Sequence, residues 1–407
     1  MDHSDILNNV DFSDIFIAIM ALICAALTAY TVTPPVRLLA YRIGAIDVPT
    51  DARRMHRKPM PRIGGLGIFI AFFLATMVFA EHSPHLYAIW IGGAMLVLLG
   101  ILDDVFRLSA LVKLFVQLGS STIAVVFFNV RIEYITLFGY TINFGMWAIP
   151  ITVLWITGLT NAINLIDGLD GLACGVSAIT ALSMFGVTLI SGDFGNAMLT
   201  AILVASCVGF LPYNTNPARI FMGDTGALFL GYTLSIISVQ GLFKLHTMLS
   251  FLVPFSIFAL PILDTFTAIM RRVATGHSPF APDRGHLHHR LVDMGFTHKE
   301  AVKILYAICG LLGLIAITYT EAMFHESRTW RTLVMTFASV VIILLIFICM
   351  RKPSTRILSG LAEHVSEIRL EAQAEEQREK EEAEREEKER AKAEKAEAKA
   401  EAKKNKH

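Results

Sequence analysis

Hydrophobic residues in this chain come in long blocks separated by short polar or basic segments. The blocks run roughly 17 to 25 residues, the length a helix needs to cross the hydrocarbon core of a bilayer. They lie near 14–36, 64–80, 86–102, 109–128, 147–163, 171–190, 197–213, 224–242, 248–270, 300–319 and 331–350. Lipid offers backbone groups no hydrogen-bond partner, so each block is expected as a self-satisfied helix packed on its neighbours. The pattern predicts an all-α polytopic membrane protein with about eleven transmembrane helices. One segment departs from it. VRIEYITLFGYTINFG, residues 130–145, carries two β-rich runs around Gly139 and predicts a short β-hairpin.

Composition divides the chain in two. Of 407 residues, 54% are hydrophobic and the mean hydropathy is +0.56, too apolar for an ordinary soluble domain. The formal net charge of zero averages unlike parts. Residues 1–352 form the expected transmembrane domain and 353–407 a charged tail. In the tail, Ile357, Leu361, Val365 and Ile368 recur at helical spacing and predict an amphipathic stretch on the membrane surface. From Glu371 onward Glu, Lys, Arg and Ala dominate without a/d leucines, which reads as a solvated helix or disorder rather than a coiled coil. The cysteines fall inside apolar blocks without CxxC spacing, so they read as small membrane-helix residues. The acidic start, MDHSDILNNVDFSD, argues against a cleaved signal peptide.

Charge placement sets the orientation. Arg37, Arg42, Arg53, Arg54, Arg57, Lys58 and Arg62 crowd the first loop; Arg271, Arg272, Arg284, Arg290 and Lys299 follow the ninth block. The opposite loops hold Arg131, Lys244, Arg328 and Arg331. The basic face is expected in the cytoplasm, with the N-terminus and hairpin outside and the tail inside.

The unusual polar residues gather on that same face. Asp103 and Asp104 end the third block; Asn161, Asn164, Asp167 and Asp170 lie in NAINLIDGLDGL between the fifth and sixth; Asn214 and Asn216 follow the seventh. Asp224 opens the eighth block and His286, His288 and His289 follow the ninth, while Asp264 sits deep within it. Each has an ordinary role to set beside a chemical one. Asp224 before Thr-Gly-Ala fits a helix start. Asp264 fits a buried hydrogen-bonded pair with Thr265 or Thr267. Asp167 and Asp170, three apart, would face one side of a helix they begin, and their glycines permit a close backbone approach. Asp103 and Asp104 are harder to dismiss. Adjacent carboxylates at a helix C-terminus repel each other and oppose the dipole, so a counter-cation is expected.

The basic partners have a matching reading. DRGHLHHRL, with flanking Arg284 and Arg290, suits a phosphate-contacting loop better than a closed zinc site, which needs a fourth ligand. HRKPMPRIGG, with Arg57, Lys58 and Arg62, ends in a constrained turn suited to an anion. Carboxylates and cations on one membrane face point to a divalent metal and a polyphosphate. Oxygen ligands favour Mg²⁺, with Mn²⁺ as the alternative. No GxxxxGK[ST] is present, which excludes a P-loop nucleotidase, and nothing points to nucleic acid.

In order and spacing, GILDD, NAINLIDGLDGL, FMGDTGALFLG and HRKPMPRIGG resemble the polyprenyl-phosphate N-acetylhexosamine-1-phosphate transferases over roughly residues 30 to 300. HLHHRLVDMGFTHKEAV is similar to the branch that transfers N-acetylglucosamine-1-phosphate; the muramoyl-pentapeptide branch carries three consecutive histidines instead. The resemblance implies transfer from UDP-GlcNAc to undecaprenyl phosphate with release of UMP, in a bacterial cell membrane, for a teichoic acid linkage unit, O antigen or similar polymer. It implies Asp224 as the main Mg²⁺ ligand and Asp103 and Asp104 beside the lipid phosphate, Asp103 as base or positioner. Asn164, Asp167 and Asp170 would line the nucleotide and metal region, Asn214 would contact the diphosphate, and His286, His288 and His289 the sugar or phosphate. Membrane lipids surround the chain, and a homodimer is compatible with it. Against this stand a cation-coupled transporter, which needs paired midplane carboxylates, and a CDP-alcohol phosphotransferase, whose DGxxAR is absent from DGLDGLAC. A scaffold acting through the tail is the non-enzymatic alternative.

Overall fold

A computed structural model describes residues 12–48, 59–137, 140–243, 251–276 and 285–324. The eleventh block, the tail, Arg57, Lys58 and Arg284 lie outside these. Through Arg290, and again from Thr297 to Phe324, the described residues form one body; Leu291–Phe296 group apart from it.

The apolar blocks become α1 (Phe12–Ile43), α2 (Gly65–Phe79), α3 (Pro84–Phe106), α4 (Ala110–Phe127), α5 (Ala148–Ile166), α6 (Leu172–Ile190), α7 (Phe194–Asn214), α8 (Gly223–Ile237) and α12 (His298–Phe324). Among the described residues, eight helical segments are long and apolar enough to cross a membrane, and α2 is a shorter apolar helix. The protein is a multi-pass membrane protein. Local chemistry sets the helix ends. Ser83 caps α3 ahead of Pro84, whose missing N–H is no loss at a first helical position. Ser109 accepts from Val112 N–H to open α4. At the start of α12, Thr297 and Glu300 bond reciprocally in a capping box.

One expectation is corrected. The block 248–270 is not one span: α9 (Leu252–Ile257) stops at Phe258, and α10 (Ala259–Ala274) starts afresh. Pro261 falls in the first turn of α10, where a proline is tolerated, instead of in the interior of a long helix, where it would kink the chain. The eighth block is α-helical only to Ile237 and then loosens into a π-turn, Ser238–Leu242.

α8 is the axis of the bundle. It packs against α2, α3 and α5, and 94% of its membrane window is buried. Small residues allow this proximity. A Cβ on Gly65 would run into the backbone of Gly226, and one on Gly100 into that of Thr225. α6 pairs with α7 and α12, while α1 lies along α2 and α7.

Two small sheets complete the fold. β1 (Ile46–Asp47) pairs antiparallel with β2 (Met60–Pro61) beside the site. At the other sheet, β3 (Tyr134–Leu137) pairs antiparallel with β4 (Tyr140–Asn143), with Tyr134 opposite Asn143.

Candidate active site

The carboxylates of three helix ends converge. α3 delivers Asp103 and Asp104, α8 delivers Asp224, and the turn after α5 delivers Asp167. Asp103 and Asp224 share one cation: Lys113 Nζ lies 3.1 Å from Asp103 Oδ2 and 2.7 Å from Asp224 Oδ2. Arg62 Nε lies 3.4 Å from Asp104 Oδ1. The counter-cation that the Asp103-Asp104 pair demanded is therefore supplied by the chain itself. Lys113 was not singled out in the sequence, yet it carries the ion pairs of this cluster. Its signal was an ammonium one turn inside an apolar block, where a charge is costly without a partner.

The two adjacent aspartates have different jobs. Asp103 Oδ1 accepts from Leu108 N–H at 2.8 Å and so shapes the turn after α3, while Oδ2 faces Lys113. Asp104 is fully enclosed. It accepts from the Thr225 hydroxyl at 2.9 Å and from the amides of Asp224 and Thr225 at 3.4 Å. It thus places an accepting carboxyl group at the start of α8 from a different helix. Enclosed in this way, Asp104 braces the start of α8, and Asp103 pairs with Lys113. Asp224 itself is no cap; it lies in the first turn of α8 with its carboxylate turned to Lys113 and within reach of Asn164.

NAINLIDGLDGL does not begin a helix at its aspartates. Asp167 ends α5, and α6 starts at Leu172 after Gly171, whose φ of +78° suits glycine. The two carboxylates part company as a result. Asp170 Oδ2 accepts from Asn216 Nδ2 and Ala218 N–H, both at 3.0 Å, and pins the loop between α7 and α8. Asp167 turns to the cluster. Burial, and then the nearby charge of Asp224, raise its pKa to about 7 against the opposing pull of Arg62. Tyr306 of α12 donates to Gly171 O at 2.6 Å and holds the turn from behind.

A cavity of about 300 Å³ opens beside this cluster, at the low end for a ligand pocket. Arg62, Asp167, Asp170, Asn214 and His289, all singled out in the sequence, line it. Asp47, Asn216, Phe221 and His298 also line it, and of these only Asn216 was singled out in the sequence. Asp47 arrives through the β1–β2 pairing and Phe221 through its amide bond to Pro61 O, two contacts with no local signal. Asn214 is buried and donates to Ile220 O at 3.1 Å, so its amide nitrogen shapes the loop.

The histidines of HLHH sit on α11 (Leu287–Asp293) and just before it. His288 lies against Gly168: a Cβ there would meet its Nε2. Burial, followed by the charge of His289, depresses the His288 pKa to about 3, so it is a neutral imidazole at ordinary pH. Asp264 does not pair with the side chain of either nearby threonine; Thr267 bonds only its carbonyl, and the carboxylate accepts from His286 and Leu287.

The donors that could hold a cation here are carboxylate oxygens. Among the described residues no group of three or more His, Cys, Asp or Glu is placed to hold a metal ion. A site with one or two protein carboxylates, completed by substrate phosphates and water, suits Mg²⁺ rather than a cation that needs an all-protein cage. The acidic side chains outnumber the two cations, and Asp167, with its pKa raised to about 7, is only partly ionised at neutral pH.

The membrane helix bundle thus gathers acidic and basic side chains beside a polar cavity. Residues 86–242 match the model of glycosyl transferase family 4, and the chain belongs to that family. Over 328 residues it is 42% identical to the probable undecaprenyl-phosphate N-acetylglucosaminyl 1-phosphate transferase of Bacillus subtilis (strain 168), covering 79% of this chain and 89% of the relative. It is 34% identical to the decaprenyl-phosphate N-acetylglucosaminephosphotransferase of Mycobacterium tuberculosis (strain CDC 1551 / Oshkosh), over 75% and 82%. The undecaprenyl-phosphate alpha-N-acetylglucosaminyl 1-phosphate transferase of Yersinia pestis is 28% identical over 69% and 78%. Within the family, the branch is that of the N-acetylglucosamine-1-phosphate transferases.

Proposed function

We propose that this protein transfers N-acetylglucosamine-1-phosphate from UDP-GlcNAc to undecaprenyl phosphate, releasing UMP and leaving undecaprenyl-diphosphate-GlcNAc. The observation that carries the reading is the Lys113 ammonium shared by Asp103 and Asp224, next to the Arg62 and Asp167 that line the cavity. A reaction between two phosphate esters needs cations where charge builds on phosphoryl oxygens, and acidic groups to hold further cations beside them. The site faces the cytoplasm of a bacterial cell membrane in this reading, in keeping with the basic loops on that side. The product would start a cell-envelope polysaccharide.

Each residue then has a task. Arg62 and Lys113 hold non-bridging phosphate oxygens. Phe221 offers an aromatic face, and Asp170, through Asn216, fixes the loop on which Phe221 is carried. The HLHH turn closes the cavity beside Gly168 and turns the neutral His288 imidazole and the His289 ring toward the sugar-phosphate. Asp224 and Asp167, with Asp170 nearby, would hold Mg²⁺, which supplies charge neutralisation on the diphosphate. The acceptor phosphate, with its second pKa near 6, is already mostly dianionic at neutral pH. Its oxygen forms the new bond to phosphorus while the bond to the UMP oxygen breaks. No strong base is required, and Asp103 acts by holding Lys113.

The test is a donor panel on membranes carrying the protein: UDP-GlcNAc, UDP-GalNAc and UDP-MurNAc-pentapeptide, each with Mg²⁺, Mn²⁺ or chelator. Labelled lipid from UDP-GlcNAc with stoichiometric UMP is expected. Release of UDP would replace phosphosugar transfer with ordinary glycosyl transfer, and product from UDP-MurNAc-pentapeptide alone would move the chain to the other branch.

A further inference from the structure

Asp264 lies in α10 and is not among the residues lining the cavity. Its side chain is nonetheless enclosed, and a buried carboxylate must be compensated. Both oxygens are answered by one short segment. Oδ2 lies 2.9 Å from Nδ1 of His286, and Oδ1 accepts from the Leu287 N–H at 2.9 Å. An ionised carboxylate only accepts, so His286 carries its hydrogen on Nδ1, and in the neutral ring Nε2 is the acceptor.

Leu287 is the first residue of α11, so the same carboxylate caps that helix from another element. Asp104 does the same for α8. The first turn of α11 then sets two more imidazoles. The His286 and His288 rings are within 8° of parallel, with centroids 5.8 Å apart. His288 and His289 follow at 4.3 Å. His288 occupies the space above Gly168, and His289 reaches the cavity wall.

We propose that Asp264 is a positioning residue for the transfer reaction. It fixes the Nδ1–H form of His286 and the start of α11, and through them the places of His288 beside Gly168 and of His289 at the cavity. This rests on the transferase reading above, and Asp264 acts on the substrate only through the histidines.

The test has two arms. In the first, ¹⁵N-histidine-labelled full-length protein in lipid nanodiscs reports the His286 tautomer, assigned by loss of its signals in H286Q. A ring carrying its hydrogen on Nδ1 is expected, moving to Nε2-protonated in D264N, whose amide can donate to Nδ1. A wild-type ring protonated on Nε2 alone overturns the proposal whether or not the protein makes product. In the second arm, D264N is expected to lower turnover about ten- to hundredfold, the usual effect of removing a carboxylate that orients a working histidine. The D264N/H286Q double variant should lose no more than H286Q alone. An unchanged D264N, losses that multiply in the double variant, or a loss matched by a fall in unfolding temperature would each overturn positioning. If wild-type protein makes no lipid-linked product, the transferase reading fails, and the tautomer arm alone decides the role of Asp264.

Discussion

The Lys113 ammonium lies 2.7 Å from Oδ2 of Asp224, joining residues 111 positions apart in the chain. That bond ties α4 to α8 and, through Asp103, to the end of α3. It makes the acidic cluster a charge-paired assembly before any substrate arrives. Four predictions follow from this arrangement and its surroundings.

Asp224→Asn keeps the shape of the side chain and removes its charge. Lys113 then loses its nearest anion, and the acidic cluster beside the cavity loses one of its charges. Lipid-linked product should fall by roughly a hundredfold or more, the scale on which single electrostatic groups act in such sites. Insertion, followed by protease accessibility of the loops, should be unchanged. A fully active Asn variant would remove Asp224 from the reacting centre.

Lys113→Gln leaves Asp103 and Asp224 facing each other without a cation. Activity should drop, and stability in detergent should fall by about 2 kcal/mol. That is below the range for fully buried pairs, because the Lys113 side chain is 24% exposed. Adding Asp103→Asn should return part of the stability without returning the activity. Thermal unfolding of both variants checks this; a double variant less stable than the single one would contradict the charge argument.

Gly168→Ala places a methyl where the His288 ring lies. The ring and its helix must shift, and a displacement on the order of 1 Å at a reacting centre costs roughly a hundredfold in rate. Gly158→Ala is the control, since a Cβ there meets nothing within 4 Å. Equal activity in the two alanine variants would mean that His288 does not need its seat on the turn.

His288 gives a pH dependence of stability with a definite sign. Burial lowers its pKa to about 3, from about 6.5 in an unfolded chain. Between these values the unfolded chain binds the extra proton, so stability is fully present above about pH 6.5 and is lost as pH falls toward 3. The slope is at most about 1.4 kcal/mol per pH unit from this group. His288→Gln should flatten the unfolding temperature across that window. An unchanged slope would mean that His288 is protonated in the folded protein.

How far the sequence carried follows from which contacts are local. The ends of apolar blocks fix which residues share a membrane face, so Asp103, Asp104, Asp167 and Asp224 could be grouped before their distances were known. Lys113 could not, because it sits inside a block and its partner is far off in sequence. The break at Phe258 was invisible for a different reason: hydropathy averages across a change of helix, and Pro261 was its only mark. The bond of Asp170 to Asn216 had no local signal: the two residues lie 46 positions apart, and α6 does not start until after Gly171. Asp47 and Phe221 depend on an edge pairing between short strands and a loop, which no periodicity announces.

The close contacts of α8 bear on how this protein can change over generations. Gly65 and Gly226 meet backbone to backbone, as do Gly100 and Thr225. A larger residue at any of these places has no lipid-facing side to turn toward. Drift there is confined to exchanges that conserve volume across two helices at once, so the sequence can diversify at its lipid-exposed surface while the helix that carries Asp224 stays nearly still.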